Sequence, residues 1–166
     1  MQLYDTNEYR ATKNWPYAVC AGCVIYKIDA HGNAEVLLLK REVENERSEE
    51  DFVTYHLPKG HNASNETLMQ TAKREATEET GSKVNIVTYL GALTKEYTYK
   101  NNLCNKTFHY FAAIWIADVR KMDDEHDEKL WVNVNQAEEL LGKPNPKGED
   151  ELIRRFKKYL ELTNAA

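Results

Sequence analysis

No stretch of the 166 residues comes near the roughly 18 continuous apolar residues a membrane-spanning helix requires, so no span is expected. Long basic runs are also missing, and the net charge is −5, which argues against binding nucleic-acid duplexes through their backbones. A small anionic ligand stays compatible with that charge if metal cations or local Lys and Arg offset it. The opening MQLYDTNEYR has neither a basic n-region nor an apolar h-region and does not read as a signal peptide, so a cytoplasmic location is expected. Cysteine is scarce: three residues, an odd number, suit a reducing compartment better than a disulfide framework. Cys20 and Cys23 match C-x-x-C, but they fall inside the apolar run YAVCAGCVIY. In a strand, residues three apart point to opposite faces, so the two thiols diverge. No second pair completes a zinc site, and core packing is the expected role. The tripeptides NAS, NET and NKT match the glycosylation pattern but lack a secretory signal to give them meaning.

What is present is ordinary for a soluble domain: 30% charged and 42% apolar residues. A chain of this size buries roughly two-thirds of its unfolded surface, enough for one core. Residues 1–16 read as a polar extension that packs as an edge, and 17–163 as a single domain. Tyr17 to Ile28 and Val36 to Arg41 read as a hairpin around Gly32-Asn33. EVENERSEED, Glu42 to Asp51, reads as a solvated acidic loop. Val53 to Leu57 is a short extended piece stopped by Pro58. A helix is expected from Asn65 to Thr80, capped by Ser64 or Asn65 and closed by Gly81 in the left-handed conformation. Val84 to Tyr99 reads as strand, KNNLCNK as a polar loop, and Thr107 to Val119 as an apolar strand, with His109 as a satisfied core residue. Leu130 to Val134 is a short strand, NQAEELLGK a small helix ended by Pro144 and Pro146, and Glu149 to Leu162 a last helix. Its Leu152, Ile153, Phe156, Tyr159 and Leu160 form a core stripe. The alternation implies an α/β fold: a mixed sheet with helices on both faces.

The helix at 65–80 carries an electrostatic problem. Glu75 and Glu79 are one turn apart, and Glu78 adjoins both. Three like charges share one sector at the helix end whose dipole already disfavours anions by a few tenths of a kcal/mol. Arg74 is the one arginine near enough to pair with Glu78. The carboxylates border a thin apolar face of Leu68, Met69, Ala72 and Ala76 rather than lying opposite it. Either this is a solvated acidic face, or a hard divalent cation reverses the sign of the repulsion. Mg²⁺ takes a few carboxylates and keeps sites open for phosphate oxygens.

The spacing is more specific than the cluster. Gly60, five residues, Glu66, seven residues, Arg74-Glu75, two residues, Glu78-Glu79, one residue, Gly81: this resembles the signature of the Nudix hydrolase family at its seven fixed positions. At average residue frequencies of about 5–7% a chance match is on the order of one in a million. Ala76 and Ser82 depart at softer positions. The resemblance implies an α/β/α sandwich with a mixed central sheet, and a loop–helix–loop that binds Mg²⁺ or Mn²⁺ to cleave nucleoside diphosphate derivatives. Carried over, Glu75, Glu78, Glu79 and the Gly60 carbonyl are metal ligands, Glu78 or Glu79 also being catalytic. Glu66 and Arg74 pair structurally, and Gly81 ends the motif.

Outside the signature the chain looks like the diadenosine tetraphosphate (asymmetrical) hydrolase subgroup. PKGH, Pro58 to His61, leads into the box. Tyr99 is followed at a fixed gap by Lys106-Thr107, and Glu125-His126 precedes Trp131. Tyr55 stands where the subgroup has Trp, and the histidine before that Trp is missing. By this resemblance Tyr99 stacks on a base, Lys59, His61 and Lys106 meet the polyphosphate, and Glu125 is a metal ligand or general base. The implied reaction is hydrolysis of diadenosine tetraphosphate to ATP and AMP. Sugar nucleotides, capped RNA ends and inositol pyrophosphates are alternative substrates, and a non-catalytic nucleotide-binding module is a different class of reading.

Overall fold

The computed structural model describes residues 17–43, 52–143 and 148–164. The expected N-terminal extension, the acidic loop beyond Val43, and Pro144 and Pro146 lie outside the described residues, as does the side chain of Tyr99. The elements run β1 (Tyr17–Ile28), β2 (Ala34–Val43), β3 (Phe52–His56), β4 (Lys59–His61), α1 (Leu68–Thr80), β5 (Ser82–Tyr99), β6 (Asn102–Asp118), β7 (Glu128–Asn133), α2 (Val134–Leu141) and α3 (Glu149–Asn164).

Seven strands form one sheet in the order β3-β2-β1-β6-β5, with β4 on β1 and β7 on β2. β1 and β6 run parallel, from Tyr17 opposite Asn105 to Tyr26 opposite Ile114, and the other pairings are antiparallel, so the sheet is mixed as expected. β1 shows why. Its even residues Cys20, Val24 and Tyr26 feed one core with α2 and α3; its odd residues Ala21, Cys23 and Ile25 feed a second core under α1. A strand buried on both faces reads as a continuous apolar run. The cysteines of CAGC therefore part to opposite cores, both buried and neither in a disulfide. Burial pushes the Cys23 thiol up to about 12, far from a reactive thiolate.

The α3 stripe packs as read: Leu152, Ile153 and Phe156 are fully buried, with Tyr159 and Leu160 against them. Each such apolar side chain contributes about 1.5–3 kcal/mol. Three expectations are corrected. α1 starts at Leu68, not Asn65, because the Glu66 amide closes a turn on Ala63 and Thr67 forms a capping box with Gln70. Met69 is half-exposed rather than part of the apolar face. KNNLCNK is not a loop: Lys100 and Asn101 alone make the turn, both at positive φ (47° and 64°), and β6 resumes at Asn102 with Leu103 out and Cys104 in.

Candidate active site

β4 lies against β1, with Gly60 opposite Ala21, and delivers Lys59, Gly60 and His61 to the open side of α1. The α1 carboxylates face it. Glu75 and Glu79 are buried, at 9% and 8% exposure, while Glu78 is more open. Gly60 makes the approach possible: a Cβ there would stand 2.1 Å from the Glu75 carboxylate. At the helix end Gly81 adopts φ 74° and its amide donates to the Thr77 carbonyl.

Arg74 organises the acidic face. Its Nε donates to Glu66 Oε1 at 2.7 Å, and one terminal nitrogen donates to Glu66 Oε2 at 3.1 Å and to the His61 carbonyl at 2.9 Å. The other reaches Glu75 at 2.5 Å and Glu78 at 3.1 Å. Glu66 is held below the usual carboxylate range, first by the Arg74 hydrogen bond. The helix end has a second cation: Lys129, from β7, donates to the Thr80 carbonyl at 2.9 Å and pairs with Asp118 at 2.8 Å. The charge crowding legible in the sequence is thus offset by Arg74 within the helix, while Lys129 from outside it meets a carbonyl at the helix end.

Glu79 is the exception. Burial raises its carboxyl to about 8, with Glu75 and Asp123 adding to the rise and the Lys59 amide, at 2.8 Å, opposing it. Glu125, exposed on the 119–127 loop, brings a carboxylate oxygen toward Glu79, and His126 brings a ring nitrogen; the three ligand atoms lie within 4.8 Å of one another. His126 Nδ1 is buried without a hydrogen-bond partner among the described residues, and burial lowers the pKa of the ring. A raised carboxylic acid, a facing carboxylate, an orphaned imidazole nitrogen and a backbone cradled against Glu75 fit a divalent cation, whose oxygen-rich ligand set these residues supply. The sequence pointed to a role for Glu125 and marked His126 only as its neighbour; that adjacency was the available signal.

The cleft has a volume of about 420 Å³, and its lining includes four carboxylates, Glu75, Glu78, Glu79 and Glu125, together with Lys59, His61 and Lys106. The Lys59 ammonium is paired with Glu149 at 3.1 Å and donates to the Leu57 carbonyl at 3.4 Å. Its pKa is raised despite burial, first by Glu149 and then by Glu79. Glu149, in the first turn of α3, is held low against its own burial, chiefly by Lys59. Nothing in the sequence marked Glu149, because helix first turns carry solvated acids as a rule. Lys106 stands on β6 opposite Lys95, its ammonium 5.1 Å from the Phe108 ring centre. Tyr99 ends β5, paired with Asn102 at the hairpin turn. His109 is half-buried, not a core residue; Tyr89 satisfies its Nδ1 at 2.8 Å. His56 lies 5.9 Å, ring to ring, from His126. A larger groove, about 560 Å³, lies away from the acidic cleft between the β1–β2 turn and α3.

The NUDIX domain model matches residues 16–156. The chain belongs to the Nudix family. A Nudix relative named putative mutator protein MutT4, from Mycobacterium tuberculosis (strain CDC 1551 / Oshkosh), is 30% identical over 121 residues, covering 72% of this chain and 47% of that protein. The asymmetrical bis(5'-nucleosyl)-tetraphosphatase of Mus musculus is 30% identical over 89 residues, covering 50% of this chain and 58% of that protein. The chain thus spans about half the length of the curated Nudix relatives it matches. Among solved structures, a C. elegans Ap4A hydrolase binary complex superposes with a TM-score of 0.64 at 26% identity, covering 87% of this chain and 98% of that one. A MutT protein from Methanosarcina mazei Go1 gives 0.62 at 26% identity, covering 87% and 95%. The mixed sheet between helices is the architecture these Nudix neighbours share. Among the described residues no helix is long and apolar enough to cross a membrane.

Proposed function

We propose that this Nudix domain hydrolyses a dinucleoside polyphosphate, diadenosine tetraphosphate to ATP and AMP, with Mg²⁺ or Mn²⁺ bound by Glu75, Glu78, Glu79, the Gly60 carbonyl and Glu125. The observation that carries it is the cleft itself, which gathers four carboxylates with Lys59, His61 and Lys106 around about 420 Å³. A divalent ion bound there neutralises phosphate oxygens and lowers the pKa of a coordinated water. The chain supplies the rest. Lys106 orients the phosphates as a point charge, and Arg74 fixes the carboxylates so that no reorganisation is needed at the moment of reaction. Glu79 or Glu125 accepts the proton of the attacking water.

The length of the substrate is supported by the hairpin. Lys95 pairs with Lys106, and Tyr99 is four residues further along β5. Four residues of strand span about 13 Å, the reach of a phosphate chain ending in a nucleoside on which Tyr99 stacks. The names of the murine relative and the nematode structure point the same way. A second reading, another nucleoside diphosphate derivative cleaved by the same residues, fits the relatives whose names, MutT4 and MutT, specify no dinucleotide. The test is Glu79→Gln: turnover falls by roughly two to four orders of magnitude while the protein remains folded. Unchanged turnover removes Glu79 from the site.

A further inference from the structure

Glu149 is far from β4 in sequence, yet its carboxylate sits against Lys59. It is 3% exposed. One oxygen receives the Lys59 ammonium at 3.1 Å and the Tyr110 hydroxyl at 3.2 Å, and the other receives the Leu57 amide at 3.1 Å. The first turn of α3 is where a helix dipole favours a carboxylate. A buried anion with three donors in this geometry is a fixed feature of the site floor.

Its consequence concerns the next carboxylate. Lys59 already touches Glu79 through its backbone amide, at 2.8 Å. The lysine side chain is flexible, and both Lys59 and Glu79 line the same cleft. An ammonium turned onto Glu79 would occupy the oxygens that a divalent cation requires. We propose that Glu149 is a positioning residue: it draws the Lys59 ammonium to the floor of the cleft and keeps Glu79 open to the metal. This rests on the reading of Glu79 as a metal ligand. It separates the two charges of Lys59's surroundings by task, with one carboxylate neutralising the lysine and the other reserved for the cation.

The test uses the full chain and Mn²⁺ alone, with free Mn²⁺ followed by electron paramagnetic resonance. Glu149→Gln keeps the shape and the Leu57 hydrogen bond but removes the charge. It weakens Mn²⁺ binding by about tenfold, the size of coupling found within one charge network. Lys59→Met binds Mn²⁺ at least as tightly as the wild type, and the double variant Lys59→Met/Glu149→Gln returns to within about twofold of Lys59→Met, since the competing cation is gone. Replacing both members of a buried pair is tolerated, so the double variant folds. Should Glu149→Gln alone fail to fold, Glu149→Asp gives the graded version, about threefold weaker. An ordinary structural role lowers the melting temperature of these variants and leaves the Mn²⁺ dissociation constant unchanged; that result overturns the proposal. Wild-type Mn²⁺ binding that is insensitive to Glu79→Gln refutes the metal-ligand reading itself and this inference with it.

Discussion

Arg74 and Glu66 meet through two parallel contacts, Nε to Oε1 at 2.7 Å and a terminal nitrogen to Oε2 at 3.1 Å. The pair fastens the loop before α1 to the middle of the helix, and the same guanidinium continues to the His61 carbonyl on β4. One side chain therefore sets the relative position of the loop before α1, α1 itself and β4, three of the pieces that build the cleft. Lysine cannot reproduce a planar fork. Arg74→Lys is expected to cost about 2 kcal/mol, a melting temperature lower by roughly 4–8 °C, and to weaken Mn²⁺ binding as Glu75 and Glu78 lose their anchor. Calorimetry and a Mn²⁺ titration check both effects. A variant that melts and binds like the wild type would remove Arg74 from this role.

Gly60 separates fold from site. The three atoms nearest an added Cβ all belong to the Glu75 carboxylate, at 2.1–2.2 Å, which is the far end of a flexible side chain. Gly60→Ala is thus expected to fold with a melting temperature within about 2 °C of the wild type, because the side chain swings aside at small cost. Its Mn²⁺ affinity is expected to fall by more than about tenfold, because Glu75 no longer faces the cleft. A Mn²⁺ affinity equal to the wild type would show that Glu75 is not needed where it stands.

Glu79 predicts a pH dependence in the metal-free protein. Its folded pKa is raised from 4.5 to about 8. A group raised in this way favours the fold fully below its unfolded pKa, and that contribution is lost as pH rises through the folded value. Glu79→Gln has no charge to bury and lacks the trend. With a chelator present, the two melting temperatures should lie close together near pH 4.5 and diverge toward pH 8, the wild type becoming the less stable. Parallel curves across that window would contradict the burial of Glu79 as an ionisable group.

Much of this was legible in the chain because two periodicities carry most of the information. β1 reads as a continuous apolar run because both of its faces are buried, and α3 shows its stripe because Leu152, Ile153 and Phe156 return to one face. The spacing from Gly60 to Gly81 located the acidic cleft, since a loop and a helix fixed in length bring the same residues together. The departures are local contests. Thr67 outcompeted Ser64 and Asn65 as the cap because Gln70 completes its box. Lys100 and Asn101 tolerate positive φ and so shortened a polar loop to a turn. Glu149 was invisible for another reason: its partners Lys59, Leu57 and Tyr110 come from distant segments, and no local pattern marks a carboxylate that a fold will bury.

The function proposed for the cleft is metal-dependent, asymmetric cleavage of a dinucleotide. The direct measurement is to incubate the purified chain with diadenosine tetraphosphate and Mg²⁺ and to resolve the nucleotides by ion-exchange chromatography. ATP and AMP are expected in equal amounts, with no cleavage when the metal is chelated. Two molecules of ADP, or an intact dinucleotide in the presence of Mg²⁺, would contradict the account.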